Sequence, residues 1–412
     1  MTVSPDGKHL YTAGPGENSV AVFSRASTTG ELAFVEFEKD DVGGVDGLNG
    51  ATSVTVSPDG NHVYATSQFD DSVVVFDRHS STGEVTFVEL HRDGIGGVND
   101  LSEARSVIVS PDGNHVYDAG RRDSAVALFV RDSSTGKFTF AEVKSHFSEG
   151  IDELYGATSV TVSPDGKHVY VASFENMAAV FSRNQSTSKL TFVESEKEGV
   201  GGVDGLDWTG SVTVSPDGKY VYAAGYRDDA VTVFSRNATT GVLTFVELEK
   251  DGVGGVDGLC GVISVTVSPN RKYVYSAYVT DDAVAAFGRN ATTGELTFVE
   301  DEKGGTGGVD GFDRAASIAL NPDGKRLYVA AKNDDALAVF SQNAMVGNLT
   351  FIEILEDGEG GVDGLDGATS VNVSPDGNHV YATSNQDHTV TMFIRNGTTG
   401  NLTFVEAQKD GA

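Results

Sequence analysis

The chain has 412 residues, a formal net charge of −31 and a single cysteine among 50 Gly and 9 Pro. That charge repels nucleic-acid phosphates and anionic membranes, and one cysteine leaves no intrachain disulfide. No window approaches the roughly 18 apolar residues of a membrane-spanning helix.

The chain opens on Met1-Thr2-Val3-Ser4, already inside a repeat, so the expectation is a trimmed first strand or a domain cut from a longer protein. Ser-Pro-Asp-Gly begins at Ser4, Ser57, Ser110, Ser163, Ser215 and Ser374, with variants Ser-Pro-Asn-Arg at Ser268 and Asn-Pro-Asp-Gly at Asn321. The spacings are 53, 53, 53, 52, 53, 53 and 53 residues. A fixed period of this length marks a repeat architecture and overrides the two or three domains that length alone suggests. Pro presets φ at the first central turn position and Asp-Gly completes the turn, so each tetrapeptide closes a hairpin.

The second repeat shows the plan. Strand A runs over Ser53–Ser57, strand B over His62–Ser67, strand C over Ser72–Phe76 and strand D over Val85–Glu89. Strands of five or six residues, rich in Val, Phe, Thr and Tyr and bounded by Gly, Asp and Asn, predict antiparallel sheet. B and C are apolar almost without alternation, so both their faces are buried. Four-stranded sheets packed face to face around an axis satisfy this. The prediction is an all-β chain, one domain over 1–412, folded as a single eight-bladed β-propeller with four antiparallel strands per blade.

Strand B reads His-Val-Tyr-Val-Ala-Ser at 168–173 and Tyr-Val-Tyr-Ala-Ala-Gly at 220–225, each preceded by Ser-Pro-Asp-Gly. In this the chain resembles the YVTN-repeat, lactonase-like β-propellers over essentially its whole length. The resemblance implies a propeller whose enzymatic members open sugar lactones or form related ones, typically on seven blades. Others of the family are surface or binding proteins. Eight repeats depart from the enzymes' count. The primary expectation is therefore a ligand- or partner-binding propeller, secreted, surface-associated or periplasmic and monomeric. The alternative is a lactonase-like hydrolase.

Antiparallel order puts the A–B and C–D turns on one face. The B–C links and the long D–A links, such as 249–259, lie on the other. By architecture, a small molecule, carbohydrate or protein partner would bind on the long-link face. Aspartates recur there at Asp46, Asp204, Asp257, Asp310 and Asp363, with Asp207, Asp313 and Asp366 behind them and pairs such as Asp70–Asp71 and Asp228–Asp229 in the B–C links. Calcium takes six to eight oxygens, which acidic Gly-rich loops can offer. Asp204, Asp207, Asp257, Asp310, Asp313, Asp363 and Asp366 are the candidate ligands. The alternative is Asp-Gly turn chemistry. Asn-x-Ser/Thr at Asn184, Asn237, Asn290, Asn348, Asn396 and Asn401 reads as sequon or as turn.

The repeats control one another. Repeat three carries Arg105 where others have Thr52, Thr158, Gly210, Ile263, Ala316 or Thr369. It also carries Asp118 in a slot filled elsewhere by Thr, Ala, Val or Ser. A buried carboxylate needs a partner, and Arg105, Arg121 and Arg122 are the candidates. The link 144–155 replaces glycines with His146, Glu149, Glu153 and Tyr155. Arginines to hold an anionic group, with His146, Glu149 or Glu153 to activate water, would suit lactone hydrolysis; the alternative is a structural Arg–Asp pair and drift. Trp208, Tyr226 and Arg227 stand on the same face in repeat five, where Trp208 could stack on a sugar or fill space left by Gly.

Overall fold

The computed structural model describes residues 1–146, 148, 150–151, 154–278, 280, 282–305, 309 and 313–409. They form eight antiparallel four-stranded sheets, each built from consecutive strands A to D, as an eight-bladed propeller. In blade two, strand A is Ala51–Val56, B is His62–Ser67, C is Ser72–Arg78 and D is Val85–Arg92. Strand B is buried at every residue, whereas D, at the rim, is half-buried over most of its length.

The hairpin turn is built locally. Ser57 Oγ donates to Asp59 (2.6 Å) and accepts from the His62 N–H (3.0 Å), while Gly60 takes φ 75°. Asn184, Asn237, Asn290 and Asn396 likewise accept backbone N–H groups two and three residues on, which is turn chemistry.

Two sets of contacts join the blades. At the end of strand C, Arg78 of blade two donates to Tyr11 Oη (2.6 Å), His9 Nδ1 (2.6 Å) and Asp6 Oδ1 (3.1 Å), all in blade one, and to its own Gly60 carbonyl. An arginine can only donate, so His9 accepts at Nδ1 and is neutral. Burial first, then the Arg78 charge, push its imidazole down to about 4. Asp6 is driven up by burial, but Ser4, the Lys8 N–H and Arg78 outweigh this and leave it at about 2. Arg131, Arg183 and Arg236 repeat the arrangement on the Asp and His of blades two, three and four. The neighbouring C–D turn presses on the same histidine: a Cβ on Gly83 would stand 2.1 Å from the His9 ring, so only glycine fits.

The second set is a clasp of strand D glutamates. Glu36, Glu89, Glu142, Glu194, Glu247, Glu300, Glu353 and Glu406 each accept an N–H at the start of the next blade's strand D. Glu406 receives Leu32, and Arg25 reaches Tyr381 (2.7 Å), Asp376 (2.6 Å) and His379 (2.6 Å). Blade eight is thereby joined to blade one and the ring closes, although strand A of blade one is only Thr2–Val3.

Candidate functional site

The long D–A links are held by their own carboxylates. Asp40 Oδ1 accepts from Gly47 N and Leu48 N (both 2.9 Å). Asp93, Glu198, Asp251 and Asp357 do the same for Leu101, Leu206, Leu259 and Leu365. From the B–C links, Asp70, Asp123, Asp228, Asp334 and Asp387 accept a further link N–H each. Asp71, Asp229, Asp282 and Asp335 cap the link entering the following blade. Much of the acidic face therefore holds backbone N–H groups that would otherwise lack partners.

The candidate calcium ligands have varied surroundings. Asp257 pairs with Lys303 (2.7 Å), Asp313 accepts from Asn333 (3.1 Å), and Asp366 lies among Asp335, Asp387 and Asp357. Asp207 offers its N–H to Asp228. Neither Asp207 nor Asp363 falls in a metal-like grouping among the described residues, and Asp310 lies outside them. Only Asp204 falls in one, with Glu198 and Asp228; Asp40, Asp46 and Asp70 form a second, with oxygens of each trio within 4.8 Å of one another. In the first, burial and then the neighbouring carboxylates outweigh the Leu206 N–H and push Glu198 up to about 7.

The arginines of repeat three meet a residue that sequence reasoning passed over. Glu103 Oε1 accepts from Arg105 (2.6 Å) and from Arg121 (2.9 Å). Burial pushes the Glu103 carboxyl up, but the two arginines more than reverse this and hold it below the usual range. From Arg121 a line of contacts runs across the face. Its guanidinium lies 4.8 Å from the Phe174 ring centre, Phe174 is 5.0 Å from Trp208, and Trp208 is 5.5 Å from Tyr226. Arg227 covers Trp208 at 4.2 Å. Together these residues form a strip of charge and aromatic surface over blades three, four and five.

The strip has a signal in the sequence. The residue two before strand A's polar slot takes a left-handed φ in repeats two to eight: Gly50 71°, Glu103 58°, Gly156 64°, Trp208 59°, Gly261 78°, Arg314 60° and Gly367 70°. Glycine is the low-cost choice there, and a side chain costs about 1 kcal/mol. Where the chain carries Glu103 and Trp208 instead, it accepts strain to present a large group on this face.

Asp118 is not part of the strip. It is fully buried, opposite Val107 and Ala127 in the sheet, and finds no side-chain partner among the described residues. Burial raises its carboxyl well above the usual range, pulled back only by the Ala119 N–H. The expected Arg–Asp pair therefore does not form. Asp118 faces the side of Val116 and Ala127, packed on blade two, while Arg105, the extra residue of a β-bulge between Ala104 and Ser106, meets Arg121 at Glu103, and Arg122 is exposed. His146 stacks on Tyr155 with ring centres 3.9 Å apart. Tyr155 also lines a 400 Å³ hollow with Glu175, Lys197 and Glu198. Glu149 and Glu153 lie outside the described residues.

The strands and links together define an eight-bladed β-propeller with a charged, aromatic strip on its long-link face. The chain belongs to the family described as lactonase, 7-bladed beta-propeller, whose model matches residues 1–150, 98–256 and 264–411; this member has eight blades. It is 24% identical over 239 residues to a 6-phosphogluconolactonase of Pectobacterium carotovorum, covering 58% of this chain and 66% of that one. Among solved structures it is similar to a putative 6-phosphogluconolactonase of Bacteroides fragilis (TM-score 0.62, 19% identity, 86% and 97% of the two chains). It is also similar to the periplasmic gluconolactonase of Pseudomonas aeruginosa (TM-score 0.62, 17% identity, 85% and 96%). At these identities the structural likenesses speak to fold.

Proposed function

We propose that the protein opens a sugar lactone carrying an anionic group, on the long-link face across blades three to five. The observation that carries this is the unbroken strip Arg105–Glu103–Arg121–Phe174–Trp208–Tyr226, flanked by Arg227. The names of the relatives support the same reading. A sugar ring stacks on Trp208 and Phe174, and the anionic group pairs with Arg121 or Arg227. Glu103 orients Arg105 and Arg121 toward the ligand. Water adds to the lactone carbonyl carbon, the ring C–O bond breaks, and the ring oxygen leaves as a hydroxyl, giving a hydroxy acid. His146, on the link between blades three and four, takes the proton from water and returns it to the departing ring oxygen.

The test is proton release from sugar lactones with and without a phosphate, measured at constant pH for wild type, Arg105→Thr and Trp208→Gly. Sister blades fold with Thr and Gly at these two places, so both variants should keep their melting temperature near that of wild type. Activity on the phosphorylated lactone should fall by at least about tenfold in each, through loss of the guanidinium that braces Glu103 and Arg121 in one and of the stacking ring in the other. Wild type without activity on any lactone overturns the hydrolase. Retained binding of the same sugars on the strip would then favour the binding propeller. Activity unchanged in both variants would move the site elsewhere.

A further inference from the structure

The long links make one face of the ring acidic. The opposite face, formed by the A–B and C–D turns, carries a basic sector. In blades four to seven it presents Lys167, Lys189, Lys219, Arg271, Lys272 and Lys325, all exposed. None of these cations forms an ion pair among the described residues, and the carboxylates of their turns already face other arginines. Asp165 meets Arg236 (2.8 Å), Asp217 meets Arg289 (3.0 Å) and Asp323 faces Arg395 (3.6 Å). Blade six has Asn270 where its sisters carry that Asp, and Glu295 is the one carboxylate in the C–D turns of these blades. In blades one to three the C–D turns instead carry Glu31, Glu84 and Asp132.

An apolar tip stands in the same sector. Met345 and Val346 are 89% and 53% exposed on the C–D turn of blade seven, where blades five and six have Thr239–Thr240 and Thr292–Thr293. The turn fixes them: Asn343 accepts the Met345 N–H at its side chain (2.9 Å) and the Gly347 N–H at its carbonyl (2.8 Å). The Tyr273 hydroxyl donates to the Ala344 carbonyl (3.3 Å), which brings the blade-six hairpin carrying Arg271 and Lys272 against this turn. The sector is also level. The A–B turns run from Val214 to Tyr220, Val267 to Tyr273 and Leu320 to Arg326, the same length in each blade.

We propose that this sector docks the protein on an anionic lipid surface, with the cations at the headgroups and Met345 entering the acyl boundary. Each Lys or Arg near such a surface strengthens partition by about fivefold. A level array of cations around one protruding apolar side chain suits a plane, whereas a protein partner would call for a pocket. The net charge of −31 does not oppose this. Strands of six residues put roughly 20 Å between the two faces, and at physiological salt a charge is felt over about 8 Å. The inference is independent of the lactonase reading, since docking by the turns leaves the strip facing water.

The test is co-sedimentation of the full chain with vesicles of phosphatidylcholine alone and of phosphatidylcholine mixed with phosphatidylglycerol. Wild type should bind the mixed vesicles and not the neutral ones, and should be released as salt rises from about 0.1 M to about 0.5 M. Lys272→Ala with Lys325→Ala should weaken binding about 25-fold, fivefold for each cation. Met345→Thr, the residue at Thr292 in the sister turn, should weaken it at least about fivefold. Lys332→Ala removes a charge from the long-link face and should leave binding unchanged. All these variants should keep the wild-type melting temperature, since the changes lie in turns and links. Failure to bind mixed vesicles at low salt, equal binding to neutral ones, or an equal loss in Lys332→Ala would each overturn the proposal. Salt-sensitive self-association through the same residues, without vesicle binding, would overturn it in favour of a protein partner.

Discussion

The seam between blades six and seven carries a paired defect that makes a sharp test of the inter-blade arginines. Elsewhere an Arg at the end of strand C meets the Asp of the preceding blade's turn, as Arg289 meets Asp217 (3.0 Å) and Tyr222 (2.6 Å). At this seam the Asp is Asn270 and the Arg is Gln342. Gln342 is 6% exposed, and neither its amide nor the Tyr275 hydroxyl has a hydrogen bond of good geometry. Both charges are absent together, which spares the seam an unpaired buried ion. Gln342→Arg alone should cost about 3 kcal/mol, as a buried guanidinium without a carboxylate. Asn270→Asp alone should cost under about 1 kcal/mol, because the sister carboxylates are partly exposed and capped by their own turn. The double variant should exceed wild type by about 1–3 kcal/mol, as the buried hydroxyl and the unmade amide contacts are replaced by charge-assisted bonds. Denaturation midpoints of the four proteins measure the coupling, expected above about 3 kcal/mol. Additive single effects, or stabilisation by Gln342→Arg alone, would refute the view that these arginines work only with their aspartates.

Asp118→Ala should raise stability by about 1–3 kcal/mol by removing an unpaired buried polar group. Its folded-state pKa is raised, so its wild-type contribution is favourable below the free carboxyl's roughly 3.9 and is lost as the pH rises. The variant's advantage therefore grows toward alkaline pH, and a loss of stability on substitution would mean the carboxyl has a partner. His168→Tyr, the residue found at Tyr220 and Tyr273, tests the neutral imidazoles. Burial and then Arg236 push His168 down to about 4, so its contribution is full above the free value of 6.5 and is lost as the pH falls toward 4. The variant's stability should fall less over that window. Burial raises Glu196, Glu249 and Glu302 to about 7, which acts with the opposite sign, so the difference between the two proteins is the readout. Calcium should raise the melting temperature no more than sodium at equal ionic strength, as capping carboxylates imply. A calcium-specific rise abolished by Asp204→Asn would instead seat a cation among Glu198, Asp204 and Asp228.

The 53-residue period and the burial pattern of strands B and C determined the propeller, its blade count and the face that carries the long links. These are local properties: each hairpin is closed by its own Ser, Pro, Asp and Gly, whatever lies beyond the blade. The non-consensus residues were legible in the same way, by comparing one repeat with the next. Their partners were not. Arg78 meets Tyr11 and Asp6 some 67 and 72 residues away because the ring brings the end of one strand C against the turn of the blade before it. Asp118 and Arg105 are near in sequence, yet Asp118 lies within strand B, buried against blade two, while Arg105 is the extra residue of a β-bulge in strand A and pairs with Glu103. Neighbouring carboxylates of the same acidic loops, such as Asp40, Asp70 and Asp71, became caps once the links folded back over them, since a buried N–H takes a carboxylate within reach. Tertiary structure decided these pairings because they depend on how closely neighbouring blades approach, a distance no single repeat contains.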